Sequence, residues 1–163
     1  MDAVRQRDDA GAVLTIRNDI LINRDTQAVY DLIVRRERTP SWNRLIRSSK
    51  RIDGEDGHAG ARYQELGLIG PIKVRYTTTV LEAVGPSKFV AYSDSPNVTL
   101  HWGFDLRPEG AGTRLCLWSN VLALRGPALL MRPLMAVMMP RGSAANLERI
   151  RTLVETREGI RSQ

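Results

Sequence analysis

A chain of 163 residues, 42% apolar and 26% charged, has the length of one domain with a single core and the composition of an ordinary globular protein. The net charge of +6 is carried by arginine except at Lys50, Lys73 and Lys88, and it is spread along the chain without a basic cluster, which argues against a nucleic-acid partner. A single cysteine, Cys116, excludes an intramolecular disulfide; no apolar run reaches the roughly 18 residues of a membrane span, and a cytoplasmic location is the expectation.

Residues 1–11 read as a polar leader with no apolar signal-peptide core, residues 12–158 as one domain, and residues 159–163 as a tail. From Ala12 to Ile22 the chain alternates, with Leu14, Ile16, Ile20 and Ile22 on one face and Thr15, Arg17 and Asp19 on the other: a half-buried strand. The period then changes. Asp25 is a good N-cap, and Ala28, Val29, Leu32 and Ile33 follow at helical spacing. That helix should end near Arg36, because Pro40 disfavours helical backbone at Thr39; Ser41–Ile46 reads as a second short helix or turn.

Turn signals then recur at Asp53-Gly54 with Asp56-Gly57, at Gly67–Pro71, Gly85-Pro86, Asp94–Asn97 and Glu109–Gly112. Between them lie strand candidates 47–52, 61–66, 72–84, 88–93, 98–107 and 113–122. Such short spacing without intervening helices argues for antiparallel hairpins. Parity assigns the faces. Val74, Tyr76, Thr78 and Val80 oppose Lys73, Arg75, Thr77 and Thr79. Leu100, Trp102, Phe104 and Leu106 oppose Thr99, His101, Asp105 and Arg107. Leu115, Leu117, Ser119 and Val121 oppose Arg114, Cys116, Trp118 and Asn120.

The stretch Gly126–Glu158 is predicted as the long C-terminal helix. Its first half is apolar on almost every side, so other structure or lipid must cover it. Its second half is amphipathic, with Leu147, Ile150, Leu153 and Val154 on one stripe. Pro133 and Pro140 each remove a helical hydrogen bond, and a break near Pro140-Arg141-Gly142 is expected. The fold class is therefore α+β: a curved antiparallel sheet of about seven strands holding one long helix, two short helices between the first two strands, and a pocket between sheet and helix.

The landmarks Asp25 with Val29-Tyr30-Asp31-Leu32, Trp42, Gly60-Ala61-Arg62, Phe104-Asp105-Leu106, Gly112-Thr113-Arg114-Leu115 and Asn146–Ile150 occur in an order that resembles the START/Bet v1-like (SRPBCC) superfamily, especially its polyketide cyclase/dehydrase branch. The resemblance implies a helix-grip fold. Leu100-His101-Trp102 and Ala145–Ile150 are closer still to bacterial aromatase/cyclases. In that group the positions of Trp42, Tyr76, Thr78, Trp102, Ser119 and Asn146 line the pocket, and an arginine on the strand aligned with residues 74–80 orients the substrate. This chain has Thr79 or Val80 there, and Arg75 has solvent parity.

Read as chemistry, the inward face is apolar with few polar groups. Tyr76, Thr78, Ser119 and Asn146 are candidates to orient a carbonyl or hydroxyl, and Trp42 and Trp102 could stack on a planar ligand or simply fill core. Met131, Met135 and Met138 form a stripe suited to an adaptable wall or to core filling. No inward carboxylate or histidine is expected; His58 and His101 read as exposed, and Cys116 as inert on the outer face. No metal-ligand spacing, phosphate loop or nucleophile elbow occurs, and no cofactor or metal site is indicated. The favoured reading is a binding protein for a small hydrophobic molecule, polyketide-like or lipid-like, contacting Trp42, Tyr76, Thr78, Trp102, Ser119, Met135, Met138 and Asn146. The alternatives are a polyketide cyclase that closes and dehydrates a poly-β-ketone, its catalytic residues unassigned, and a carrier making transient membrane contact through the methionine-rich segment. Monomer and homodimer both stay open.

Overall fold

Seven antiparallel strands form one curved sheet in the computed structural model, which describes residues 11–159 and, for 157–159, the backbone alone. The leader expected over 1–11 and the tail over 159–163 lie outside those residues, apart from the boundary positions Gly11 and Gly159. The strands are β1 (Leu14–Ile22), β2 (Ile46–Asp53), β3 (Arg62–Ile69), β4 (Ile72–Val84), β5 (Lys88–Asp94), β6 (Val98–Glu109) and β7 (Gly112–Leu124). They lie in the order β1-β7-β6-β5-β4-β3-β2. From β3 onward each strand pairs with its predecessor, and β1 closes against β7. The helical segments are α1 (Thr26–Val34), a 3-10 turn (Arg36–Arg38) and α2 (Thr39–Trp42) between β1 and β2, then α3 (Pro127–Leu130) and α4 (Arg132–Gly159) after β7.

Local causes are identifiable. Asp25 Oδ1 accepts the Ala28 N–H at 2.9 Å and caps α1, whose Val29, Leu32 and Ile33 are buried. Thr39, expected outside helical space, instead has φ −49° and ψ −41°. It opens α2, and Pro40 sits in the first turn, where a missing N–H costs no hydrogen bond. Gly67, expected in a turn, lies inside β3: a Cβ there would stand 2.8 Å from Cε2 of Tyr76, so glycine makes room for that ring. The turn proper starts at Gly70, whose φ of +57° lies in the left-handed region.

The break expected near Pro140 does not occur: α4 is continuous, with Pro140 inside it. The Pro140 carbonyl accepts a hydrogen bond from Asn18 Nδ2 at 3.1 Å, which ties this point of the helix to β1. The interruption falls earlier, at Met131, between α3 and α4.

Parity holds on the concave face. Ile22, Tyr63, Val80, Phe89, Phe104 and Leu115 meet α1 residues and Leu147, Ile150 and Val154 of α4 in the larger core cluster. A smaller cluster, around Val74, Tyr76, Val98, Val121 and Met135, lies elsewhere between sheet and helix. The convex face departs from expectation. His101 and Cys116 keep outward parity but are each 8% exposed; Trp118 packs edge-on to His101 with ring centroids 5.0 Å apart. Gly103 leaves the space: a Cβ there would lie 2.7 Å from Cζ2 of Trp118. Burial also pushes the Cys116 thiol pKa up, which keeps it a poor nucleophile.

Candidate functional site

Both core clusters contribute to one cavity of about 520 Å³ under α4: Trp42 and Phe104 come from the larger, Tyr76, Val98 and Met135 from the smaller. Leu100, Trp102, Leu117, Met131, Leu134, Met138 and Met139 complete a mainly apolar lining. A hollow of similar volume near Asn23, Glu109, Arg151 and Glu155 is an open, charged surface feature. Among the described residues no group of histidine, cysteine and carboxylates could hold a metal.

The expected contact residues separate into two sets. Trp42, Tyr76, Trp102, Ser119, Met135, Met138 and Asn146 all line the cavity. Thr78 stands behind the lining, fully buried, and acts on the cavity through a neighbour. That neighbour is Glu65, whose inward position overturns the expectation of an inner face without a carboxylate. Glu65 is 2% exposed and its Oε1 accepts from Arg36 Nη2 at 2.8 Å. Ser49 Oγ donates to the same oxygen, and Thr78 Oγ1 donates to Oε2, both at 2.8 Å.

The Thr78 proton is thereby committed to Glu65, so at the 2.7 Å contact between the two hydroxyls Ser93 donates and Thr78 accepts. Trp102 Nε1 in turn donates to Ser93 Oγ at 2.9 Å. The donors therefore run in one direction, from Trp102 through Ser93 and Thr78 to the carboxylate. Arg36, 2% exposed, is placed by the 3-10 turn, where it points in while Glu37 and Arg38 point out. Its guanidinium carbon lies 4.6 Å from the Trp102 ring centroid and 5.8 Å from that of Trp42. Edge-to-face contacts of Phe104 with Trp42 and Trp102 hold the two indoles.

Two residues that sequence reasoning missed thus form the floor. Arg36 lay in the run Arg35-Arg36-Glu37-Arg38, which reads as solvated charge. Glu65 was detectable: it shares parity with Ala61 and Tyr63, an acid at an inward position. Tyr76 is the best placed hydroxyl. Its pKa is pushed up to about 12, chiefly by burial and then by the charge of Glu65, so at neutral pH it is a hydrogen-bond donor and not a phenolate. At the mouth, Arg44, Leu45, Gly70, Leu134, Met138 and Arg141 are exposed. Asn146 Oδ1 is held by Arg149 Nη1 at 3.2 Å.

The profile of a family described as polyketide cyclase / dehydrase and lipid transport matches residues 13–155. Among solved structures, the Zhui aromatase/cyclase of Streptomyces sp. R1128 superposes with a TM-score of 0.75 at 10% identity, covering 88% of this chain and 94% of its own. TTHA0849 of Thermus thermophilus gives 0.74 at 20% identity, with 88% and 98% covered. A START-superfamily protein of Mycobacterium smegmatis gives 0.68 at 15%, with 85% and 98% covered. These likenesses are of fold. No functionally curated protein matches the sequence.

Proposed function

The chain belongs to the family of polyketide cyclases/dehydrases and lipid-transport proteins, and from that premise we propose that it binds a small, largely apolar molecule, polyketide-like or lipid-like, in the cavity beneath α4. The observation that carries this reading is the cavity itself: about 520 Å³, within the size range of small-molecule sites, apolar along its walls and polar only at defined points. Trp42 and Trp102 offer ring faces to a planar ligand, Met135 and Met138 a compliant wall, and Tyr76, Ser119 and Asn146 polar contacts. The test is a titration with N-phenyl-1-naphthylamine, a neutral probe that fluoresces in apolar surroundings. One-to-one binding, lost when Ser119→Phe fills the cavity of a folded protein, supports the reading. Absence of binding, or binding unchanged in Ser119→Phe, removes it.

Binding ranks above cyclisation because aldol closure calls for a proton acceptor at the substrate. Glu65, the one carboxylate on the lining among the described residues, is already engaged by Arg36, Ser49 and Thr78. The cyclase alternative would rely on Tyr76, Ser119 and Asn146. Altered product distribution from a minimal polyketide synthase in Tyr76→Phe, Ser119→Ala or Asn146→Ala would favour it.

A second reading, brief contact with a membrane during ligand transfer, has its own observation. Leu129, Leu130, Val137 and Met138 are 56%, 85%, 49% and 46% exposed beside the mouth, with Arg44, Arg132 and Arg141 exposed near them. Flotation with acidic-lipid vesicles that is lost in Leu130→Lys supports it; no flotation removes it.

A further inference from the structure

The end of the molecule that carries the cavity mouth is built from three short tips. They are the α3–α4 corner, the turn Gly70-Pro71 between β3 and β4, and the loop between α2 and β2. The tips stand together. Met131 at the corner reaches within 3.6 Å of where a Cβ on Gly70 would stand. The Leu45 carbonyl of the loop accepts the Leu68 N–H at 2.8 Å, and the Leu45 side chain approaches Gly142 of α4. Each tip presents a large apolar side chain to solvent: Leu130 is 85% exposed, Leu45 43% and Ile72 41%. Single exposed leucines are ordinary on a protein surface, but three adjoining tips with one each, beside Leu134 and Met138, make an apolar end.

Charge separates this end from the opposite one. Residues 38–52, 66–81 and 115–147, which supply the three tips, contain no aspartate or glutamate. They contribute Arg44, Arg47, Lys73, Arg125, Arg132 and Arg141, all exposed. Asp94, at the end of β5 on the same side, is engaged: it accepts from Thr99 Oγ1 at 2.7 Å, and Arg125 Nη1 donates to that hydroxyl at 3.1 Å. The Arg36–Glu65 pair inside the cavity adds no net charge. At the other end of β7, 13 residues and roughly 40 Å of strand away, the signs are balanced instead. There Arg114 pairs with Glu109 and Asp19, and Arg151 with Glu148.

What covers such an end must be anionic and must admit apolar side chains between its charges. A second copy of this chain is disfavoured, because a twofold contact would set these arginines against themselves. A bilayer of anionic lipid meets both demands, with phosphates at its surface and hydrocarbon beneath. Building on the reading of brief membrane contact, we propose that the three tips form one docking surface for anionic phospholipid bilayers. The basic side chains lie in the headgroup layer, Leu130, Leu45 and Ile72 enter beneath it, and the cavity mouth opens inside the footprint. A ligand leaving the cavity then meets lipid before water. The contact thus extends beyond the methionine-rich segment to the β3–β4 turn and the α2–β2 loop. Neither the charges nor the apolar tips hold a membrane alone, so docking is reversible and salt-sensitive.

Flotation with vesicles of pure phosphatidylcholine and of an equimolar mixture with phosphatidylglycerol tests this. The protein should bind the anionic vesicles about tenfold or more tightly, and about 1 M salt should release it. Lys73→Gln and Arg47→Gln should each weaken binding about fivefold, the share of one basic residue at such a surface. Arg107→Gln, at the far end, should leave it unchanged. Ile72→Asn should weaken binding as Leu130→Asn does. Every substituted position is exposed, so the fold should be kept, and thermal unfolding checks that it is. Binding lost in Leu130→Asn but untouched by Ile72→Asn and Lys73→Gln would overturn the three-tip surface and leave membrane contact through the helical segment standing. Equal binding to both kinds of vesicle would do the same. Salt-sensitive binding unchanged in both apolar variants would point to an acidic protein as the partner and overturn the inference. No binding to either kind of vesicle would remove it together with the membrane reading.

Discussion

At its floor the cavity is closed by Arg36, Trp42, Glu65 and Phe104, each 2% exposed or less; at its mouth stand Leu45, Leu134 and Met138, each more than 40% exposed. The floor is fixed by hydrogen bonds and ring contacts, and every rotamer there has neighbours that depend on it. The mouth has contacts of another kind: Met131 reaches within 3.6 Å of where a Cβ on Gly70 would stand, and Leu45 within 3.9 Å of the same point on Gly142. Helix α4 spans both regions. Leu147, Ile150 and Val154 are 1%, 0% and 4% exposed and anchor it, whereas Leu134 and Val137 stand half in solvent. On the proposed ligand-binding reading, selectivity would belong to the floor and access to the mouth. A substitution should disturb folding in proportion to its closeness to the floor.

The sharpest way to break this contrast is Arg36→Met alone, which strands Glu65 as a buried charge. It should cost roughly 3–5 kcal/mol in urea unfolding, and adding Glu65→Gln should return most of it. A loss below about 1 kcal/mol would mean that the pair is solvated. Next, Leu147→Ala or Ile150→Ala should cost about 2–5 kcal/mol by leaving a cavity in the larger cluster. Gly67→Ala should follow at about 1–3 kcal/mol, because the new methyl must displace the Tyr76 ring; it should also weaken probe binding.

At high pH the same asymmetry acts through two buried phenols. Tyr76 and Tyr63 have pKa values pushed up to about 12 from an ordinary 10, in each case chiefly by burial, with Tyr63 also donating to Asp56. The folded state thus holds protons that the unfolded chain releases. Their contribution is fully present below pH 10 and is lost as pH rises through 12. Unfolding free energy should fall across that window, and less steeply in Tyr76→Phe. The smallest effect belongs to the mouth: Leu134→Ala should change stability by no more than about 0.5 kcal/mol.

Period-two alternation exposed most of the sheet to sequence reading, because one face of each central strand packs on the core and a slip of one residue would invert it. β4 was expected over the same bounds that it occupies, and the gripped half of α4 was evident from the stripe Leu147, Ile150, Leu153 and Val154. What misled was apolarity taken for burial. The mainly apolar first half of α4 is partly exposed, and Pro140 sits in a continuous helix, its carbonyl accepting from Asn18. Arg36 and Glu65 were hidden for a different reason. Each is an expensive buried charge alone, and what makes the position tolerable is a partner 29 residues away. Pairing at that separation leaves no local pattern.

The three tryptophans make the central claim directly measurable. Trp42 and Trp102 line the cavity, while Trp118 lies on the opposite face of the sheet against His101. In a ¹⁵N-labelled sample their indole N–H groups give separate resonances, assignable by substitution. Titrating N-phenyl-1-naphthylamine should shift the Trp42 and Trp102 signals and leave Trp118 in place. Shifts confined to Trp118, or none at a saturating probe concentration, would contradict a ligand cavity under α4.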